Sequence, residues 1–272
     1  MLGSAAEARW LVEEAAGSAW PLALDEAVTA RSGAWFDSRL ARRVAGEPLQ
    51  YVLGHWSFRS VDVLVDRRVL IPRPETEITV EVALKELDRI RAASGPVSTV
   101  VDLGTGSGVI ALSVARECRE VRVWATDASP EALDVARANV ARLGGSAATR
   151  IRIAEGRWWA ALPEGFAGTV DLVVSNPPYV SRAEMTQLDP VVADWEPADA
   201  LCAGPTGLED IAEIVGGAPR WLRPGGVVVV EIAPHQAEQV VGLAVAAGLM
   251  AAEVRPDLSG RLRVLVARAP GG

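Results

Sequence analysis

From residue 97 onward, short valine-rich runs alternate with longer amphipathic segments. VSTVVDLG (97–104), VRVWATD (121–127), TRIRIAEG (149–156), TVDLVVSN (169–176) and GGVVVVEIA (225–233) have the length and composition of buried strands. SGVIALSVAREC, SPEALDVARANVARLG, GLEDIAEIVGGAPRWL and HQAEQVVGLAVAAG, between or after them, carry apolar residues at three- and four-residue spacing and read as helices. This order predicts an α/β fold: a mostly parallel, Rossmann-like sheet with helices on both faces. LMAAEVRPD and GRLRVLVARA close the chain and suggest an antiparallel hairpin at one sheet edge.

The front of the chain has a different pattern. AEARWLVEEAAG, LALDEAVTARSG and WFDSRLARRVAG mix apolar and charged positions with helical spacing, and Gly17, Gly33 and Gly46 stand where C-caps belong. A small helical domain over residues 1–55 is expected. FRSVDVLVDRRVLIPRP then alternates with period two and predicts two short strands, a hairpin linker over residues 56–75. Pro72 and Pro74 force an extended path before a helix over PETEITVEVALKEL, whose first turn carries a proline and acids. The remaining residues, 76–272, form the sheet domain.

Half of the 272 residues are hydrophobic and 23% are charged, enough to bury a sizeable core. No apolar run reaches the ~18 residues of a membrane span. The acids near the N-terminus do not fit a secretory signal. Two distant cysteines, Cys118 and Cys202, and two histidines make neither a disulfide framework nor a metal centre. A reduced, cytoplasmic protein is expected. The net charge of −8 disfavours long nucleic acid as a partner, since phosphate contacts want a basic face.

Two loops carry candidate chemistry. Gly104, Gly106 and Gly108 lie between a strand and a helix, where glycine lets a ligand approach the backbone. Their G-x-G-x-G spacing departs from the G-x-G-x-x-G of dinucleotide sites, and no Lys-Ser/Thr follows to make a phosphate loop. Asp127 ends the next strand and can accept hydrogen bonds from both ribose hydroxyls of an adenosine ligand. S-adenosylmethionine, which has no pyrophosphate, fits better than NAD. SNPPYV (175–180) lies at the carboxyl end of the fourth parallel strand, where ligands bind in open α/β sheets. Its prolines hold Asn176 and Pro177 extended. The rim then offers two acceptors, the Asn176 side-chain oxygen and the Pro177 carbonyl, with Pro178 and the Tyr179 ring beside them. That set suits a planar –NH2 group whose lone pair must be turned toward a methyl donor.

Asn-Pro-Pro-Tyr is shared by class I methyltransferases that act on amide or exocyclic amino nitrogen. EPLQYVLGHWSF (47–58), VLIPRPETE (69–77), VVDLGTGSGVIALSVA (100–115), SNPPYV, EPADAL (196–201), GPTGLE and PGGVVVVEI (224–232) resemble, in order, the blocks of the HemK/PrmC family. Members of that family methylate the glutamine N5 of peptide chain release factors. The resemblance implies a class I S-adenosylmethionine-dependent fold with a helical N-terminal domain that grips the release factor. It implies a cofactor site at Gly104, Thr105, Gly106, Ser107, Gly108, Asp127 and Asn176, with Trp158 of RWWAAL beside the adenine. Arg157 stands where the family usually has an acid. Asn176, Pro177, Pro178 and Tyr179 would hold the glutamine of a Gly-Gly-Gln loop in class 1 release factors, with Asn176, Pro177 and Tyr179 catalytic. For Arg73 and Thr76, a plain helix start and a ligand contact remain equally compatible. An adenine amino methyltransferase on DNA or RNA shares the tetrapeptide but wants a basic groove. A glutamine methyltransferase acting on a ribosomal protein shares the blocks. Intact Gly104, Gly106, Gly108, Asp127 and Asn176 argue against a decayed fold serving only as a binding module.

Overall fold

A computed structural model describes residues 5–25, 27–96 and 99–271. The front is helical: α1 (Ala5–Ala16), α2 (Leu22–Asp25), α3 (Ala30–Val44) and α4 (Leu49–Leu53). Leu11, Leu49 and Val52 form a small core there, with Phe36 and Leu53 against it. Arg43 binds Glu7 through two N–H donors at 3.1 and 3.2 Å, tying α3 to α1. The single helix expected over LALDEAVTARSG is divided, and Gly33 lies inside α3 rather than capping a helix. Thr29 explains this. Its hydroxyl accepts from the Ser32 amide at 3.0 Å while Ser32 Oγ accepts from the Thr29 amide, a reciprocal cap that starts α3 early.

Next comes a hairpin of β1 (His55–Phe58) and β2 (Val61–Leu64). The VLIPRP stretch after it is irregular, because its prolines remove ladder donors. Helix α5 (Pro74–Ser94) follows, with Pro74, Glu75 and Glu77 in its first turn. The remaining elements alternate: β3 (Thr99–Leu103), α6 (Val109–Glu117), β4 (Arg122–Asp127), α7 (Pro130–Leu143), α8 (Gly145–Ala148), β5 (Ile151–Glu155), β6 (Val170–Ser175), β7 (Val180–Ser181), α9 (Pro190–Ala193), β8 (Cys202–Gly204), α10 (Glu209–Trp221), β9 (Leu222–Glu231), α11 (Ala237–Ala246), β10 (Met250–Pro256) and β11 (Leu262–Arg268).

Seven strands form one sheet in the order β10-β11-β9-β6-β3-β4-β5. The closing hairpin is antiparallel, as the sequence predicts, with β11 against β9 and β10 at the edge. The period-two alternation sorts the valines to two faces. Val100, Leu172, Val174, Val227, Val229 and Val264 join the core under α5, α6 and α7. Val101, Val173, Val228, Val230 and Leu265 join the core under α10 and α11. The parallel pair β7–β8 was not legible in the sequence; it is only two to three residues long.

Two features fix where the ligand-bearing rim lies. The chain winds outward from β3 through β4 to β5, then returns to place β6 on the other side of β3. The crevice at such a reversal is where open α/β sheets bind ligands. The register pairs Leu103 with Thr126 and with Ser175, and Ser175 with Val230, so four strands end level.

Helix α5 is pinned to the terminal hairpin by Glu86. Its fully buried carboxylate meets Arg255 at 2.7 Å and Arg268 at 2.8 Å. Glu86→Gln keeps the shape but removes the charge that Arg89, Arg255 and Arg268 share, while Arg255 keeps Glu253. The variant is expected to lose about 1.5–3 kcal/mol of stability, read from urea unfolding, and an unchanged midpoint contradicts that account.

Candidate functional site

A cavity of about 540 Å³ opens at the switch point between β3 and β6. That is within the range of small-ligand pockets. Gly104, Thr105, Gly106 and Ser107 form one wall, Asp127 and Ser129 a second, Arg157 and Trp158 a third. Asn176, Pro178 and Thr76 close the side toward α5, and Pro197, Asp199, Cys202 and Ala203 the side toward β8. Of the residues singled out from the sequence, Gly108, Pro177 and Tyr179 do not line it. Gly108 is the N-cap of α6, with φ +85°. Pro177 is buried, and no backbone hydrogen bond among the described residues engages its carbonyl. Tyr179 packs into the apolar core under α10 and α11, and burial raises the pKa of its phenol.

The glycine loop is held from both sides. The Gly106 amide donates to Asp127 Oδ2 and the Ser129 amide to Asp127 Oδ1, each at 2.9 Å. Burial raises the Asp127 pKa, and these amides, with that of Ala128, oppose it. The carboxylate keeps acceptor capacity for a further donor. Beneath the loop, Asp102 Oδ2 accepts from Thr105 Oγ1 at 2.6 Å and from the Ala111 amide at 3.1 Å. No hydrogen bond among the described residues engages its Oδ1, and burial pushes this carboxyl up to about 7. Gly104 has φ +71°, and a Cβ there would stand 3.0 Å from the Trp158 ring. Glycine is therefore required on two counts.

Trp158 begins a 3-10 turn (Trp158–Ala161) in the left-handed region, φ +45°. For a bulky residue this costs on the order of 1–3 kcal/mol, and such strain gathers at ligand sites. The indole N–H donates to Asp210 Oδ1 at 3.3 Å, and Arg157 Nη2 donates to the same oxygen at 2.7 Å. Asp210 is only 4% exposed, lines the cavity and comes from the first turn of α10. Sequence reasoning missed it. Nothing in GPTGLEDIAEI separates its carboxylate from an ordinary acid in a helix's first turn.

The segment around VLIPRPETE reaches the cavity through Arg68, Val69, Leu70, Pro72 and Thr76. Tyr51 Oη donates to the Val69 carbonyl at 2.6 Å. Glu196, nearly buried, accepts from the Ile71 amide at 3.1 Å and pairs with Arg73. Arg73 thus braces two cavity walls and is not itself a wall residue. Asn176 Nδ2 donates to Thr76 Oγ1 at 3.1 Å, and no hydrogen bond among the described residues engages Asn176 Oδ1. Behind Tyr179, Gln236 Nε2 donates to its carbonyl at 3.0 Å and to that of Gly207 at 2.9 Å. Gly207, φ +80°, admits no side chain: a Cβ would lie 2.6 Å from the Tyr179 oxygen. Burial likewise pushes the Glu231 carboxyl, at the end of β9, up to about 7. Among the described residues there is no metal-type cluster of His, Cys, Asp and Glu, and no helix long and apolar enough to cross a membrane.

Strand order, glycine loop and level strand-end acids define a methyltransferase of the Rossmann-like class. The Methyltransferase small domain model matches residues 80–192, and the PrmC N-terminal domain model matches residues 3–54. A release factor glutamine methyltransferase of Cereibacter sphaeroides is 42% identical over 249 residues, 92% of this chain and 84% of that protein. One of Bordetella pertussis is 44% identical over 264 residues, 95% and 92% of the two chains. A Pyrococcus furiosus methyltransferase structure shares the fold at 16% identity, with TM-score 0.54 over 86% of this chain and 99% of that one. The chain belongs to the release factor glutamine methyltransferase family.

The buried Asp102 gives a pH test with a defined sign. A carboxyl raised in the folded state stabilises fully below its unfolded pKa, about 3.9, and loses that contribution as pH rises through about 7. Asp102→Asn removes the ionisation. Its melting temperature is expected to gain on that of the native protein between pH 4 and pH 7 and to hold the gain above. Parallel melting curves across that range would contradict the assignment.

Proposed function

We propose that this enzyme transfers a methyl group from S-adenosylmethionine to the side-chain amide nitrogen of the glutamine in the Gly-Gly-Gln loop of class 1 release factors. The observation that carries this reading is the Asn176 carboxamide. It stands at the cavity rim with its N–H committed to Thr76 and its oxygen open to a donor. A glutamine amide brings two N–H donors to such a rim, and Asn176 Oδ1 accepts one of them. The Pro177 carbonyl accepts the other in this reading. Holding both fixes the nitrogen and turns its lone pair out of conjugation toward the methyl donor. No base is needed beforehand. The nitrogen gains the methyl carbon and then sheds a proton to solvent. Tyr179 backs the rim from the apolar core, and Pro178 lines the approach.

The cavity residues fit the cofactor by chemistry and size. When bound, S-adenosylmethionine supplies an electrophilic methyl group on a sulfonium. Asp127 holds the ribose hydroxyls with the acceptor capacity that its backbone amides leave free. Gly104, Thr105, Gly106 and Ser107 give it a close backbone wall, and the Trp158 ring flanks the adenine. Asp210 supplies the carboxylate at the adenine end, where Arg157 occupies the usual acid position. The helices of residues 1–55 grip the release factor, and the hairpin after them joins that grip to the catalytic sheet. The relatives' names and the match of residues 3–54 to the PrmC N-terminal domain support that assignment.

Mass spectrometry of a release factor incubated with this protein and S-adenosylmethionine tests the reaction. A gain of about 14 Da on the Gly-Gly-Gln peptide, one methyl group added and one proton lost, is the expected result. Asn176→Ala is expected to lower single-turnover transfer about 10²- to 10³-fold, as deletion of one preorganised hydrogen-bonding group does. A native rate in that variant removes the amide clamp. Asp127→Ala is expected to weaken S-adenosylmethionine binding by roughly 1.5–3 kcal/mol in calorimetry. Unchanged affinity in the folded variant takes Asp127 out of the site.

A further inference from the structure

A line of hydrogen-bonding groups runs from Asn176 into the protein and ends on a fully buried carboxylate. Asn176 Nδ2 donates to Thr76 Oγ1 at 3.1 Å. Thr76 is 2% exposed in the first turn of α5, one turn before Thr79, and its hydroxyl lies near enough to the Glu231 carboxyl to hold that group's pKa down against burial. Glu231 is 0% exposed. Its Oε2 accepts from Thr79 Oγ1 at 3.0 Å, and no hydrogen bond among the described residues engages its Oε1. Two threonines one helical turn apart thus face one carboxylate with a shortage of donors.

We propose that Glu231 sets, through Thr76, which end of the Asn176 carboxamide faces the substrate. The proposal rests on Asn176 being an acceptor for the substrate amide. A hydroxyl has one proton to give. In its ionised form the Glu231 carboxylate outbids a neutral amide oxygen for it, because charge-assisted hydrogen bonds are about twice as strong. Once the Thr76 proton points at Glu231, only lone pairs remain toward Asn176. The –NH2 end of the carboxamide must therefore face Thr76, and the oxygen must face the rim. The opposite orientation would set Oδ1 against those lone pairs. It would also present donors to a substrate amide that brings donors of its own. Nothing in SNPPYV can make this choice, since the two ends of a carboxamide have the same shape. Thr76 and Glu231 are positioning residues in this scheme, and neither needs to touch the reacting nitrogen.

Single-turnover transfer to a release factor at saturating cofactor, with cofactor affinity measured by calorimetry, tests the scheme. Thr76→Val keeps the shape and deletes the hydroxyl. It is expected to slow transfer roughly 10- to 100-fold, the range for partners that orient a functional group, with cofactor affinity within about threefold of native. Thr76→Ser restores the hydroxyl and is expected within about threefold of the native rate. Glu231→Gln, which can donate as well as accept, is expected to slow transfer at least about threefold. Thr76→Val/Asn176→Ala is expected to be no slower than Asn176→Ala alone, because the relay acts only through Asn176. Thr76→Ala serves in place of Thr76→Val if the valine variant does not fold. A native rate for Thr76→Val beside a slow Asn176→Ala overturns the relay and leaves the amide clamp standing. Native rates for both remove the clamp and the relay together. A further loss in the double variant overturns the relay by placing Thr76 in some other role. A native rate for Glu231→Gln overturns the part given to the carboxylate.

Discussion

The Ser175 hydroxyl donates to the Leu103 carbonyl at 2.6 Å, with both residues fully buried. This bond spans the two strands whose following loops leave the sheet on either side of the switch point. The glycine loop begins one residue after Leu103, and Asn176 is one residue after Ser175. A shift of one residue between β3 and β6 would turn the valines of β6 to the opposite faces and carry Asn176 away from Gly104. The distance between the cofactor wall and the substrate rim is therefore set inside the core, by a parallel ladder and a side-chain bond that water does not reach.

Around that ladder the protein gathers carboxylates in poorly solvated places. Asp102 and Glu231 are fully buried and Asp127 lies at the cavity wall. In each, burial works against the charge and a few oriented donors work for it. Their common trait is position: each ends, or nearly ends, a parallel strand. At that level the ladder is running out and nearby amides and hydroxyls are free to point inward. Asp102 draws the start of α6 over the loop through the Ala111 amide, and Asp127 stiffens the loop from the far side. The stability lost to buried charge is traded for a site whose walls do not need to rearrange when a ligand arrives.

The helical front and the hairpin are joined to this frame through a few polar contacts. Asn139 on α7 accepts from the Leu64 amide at 2.7 Å and donates to the Leu64 carbonyl at 3.0 Å and the Ser107 carbonyl at 2.9 Å. One side chain thus links the hairpin to the glycine loop. Trp10 meets Trp56 edge to face at 5.6 Å between ring centres, which couples α1 to β1. Glu196 ties the stretch after the hairpin to the wall formed by Pro197 and Asp199.

Short valine-rich runs marked the sheet strands, because a strand buried on both faces tolerates little else. The glycine loop, Asp127 and SNPPYV could be placed on one edge from their positions after strands. The resemblance of the blocks to a family supplied the reaction. The division of the second front helix escaped because the Thr29–Ser32 cap outweighs apolar spacing that continues through it. The pairing of β7 with β8 escaped because two or three residues make no periodic signal. What only the tertiary structure decided is which polar atoms meet. Asn176 meets Thr76 across 100 positions, Thr79 meets Glu231 across 152, and Asp210 meets Trp158 across 52. Local sequence records the propensities of a segment and the side chains it offers. The direction in which a carboxamide points depends on a proton held by a helix and a strand that only the packed core brings together.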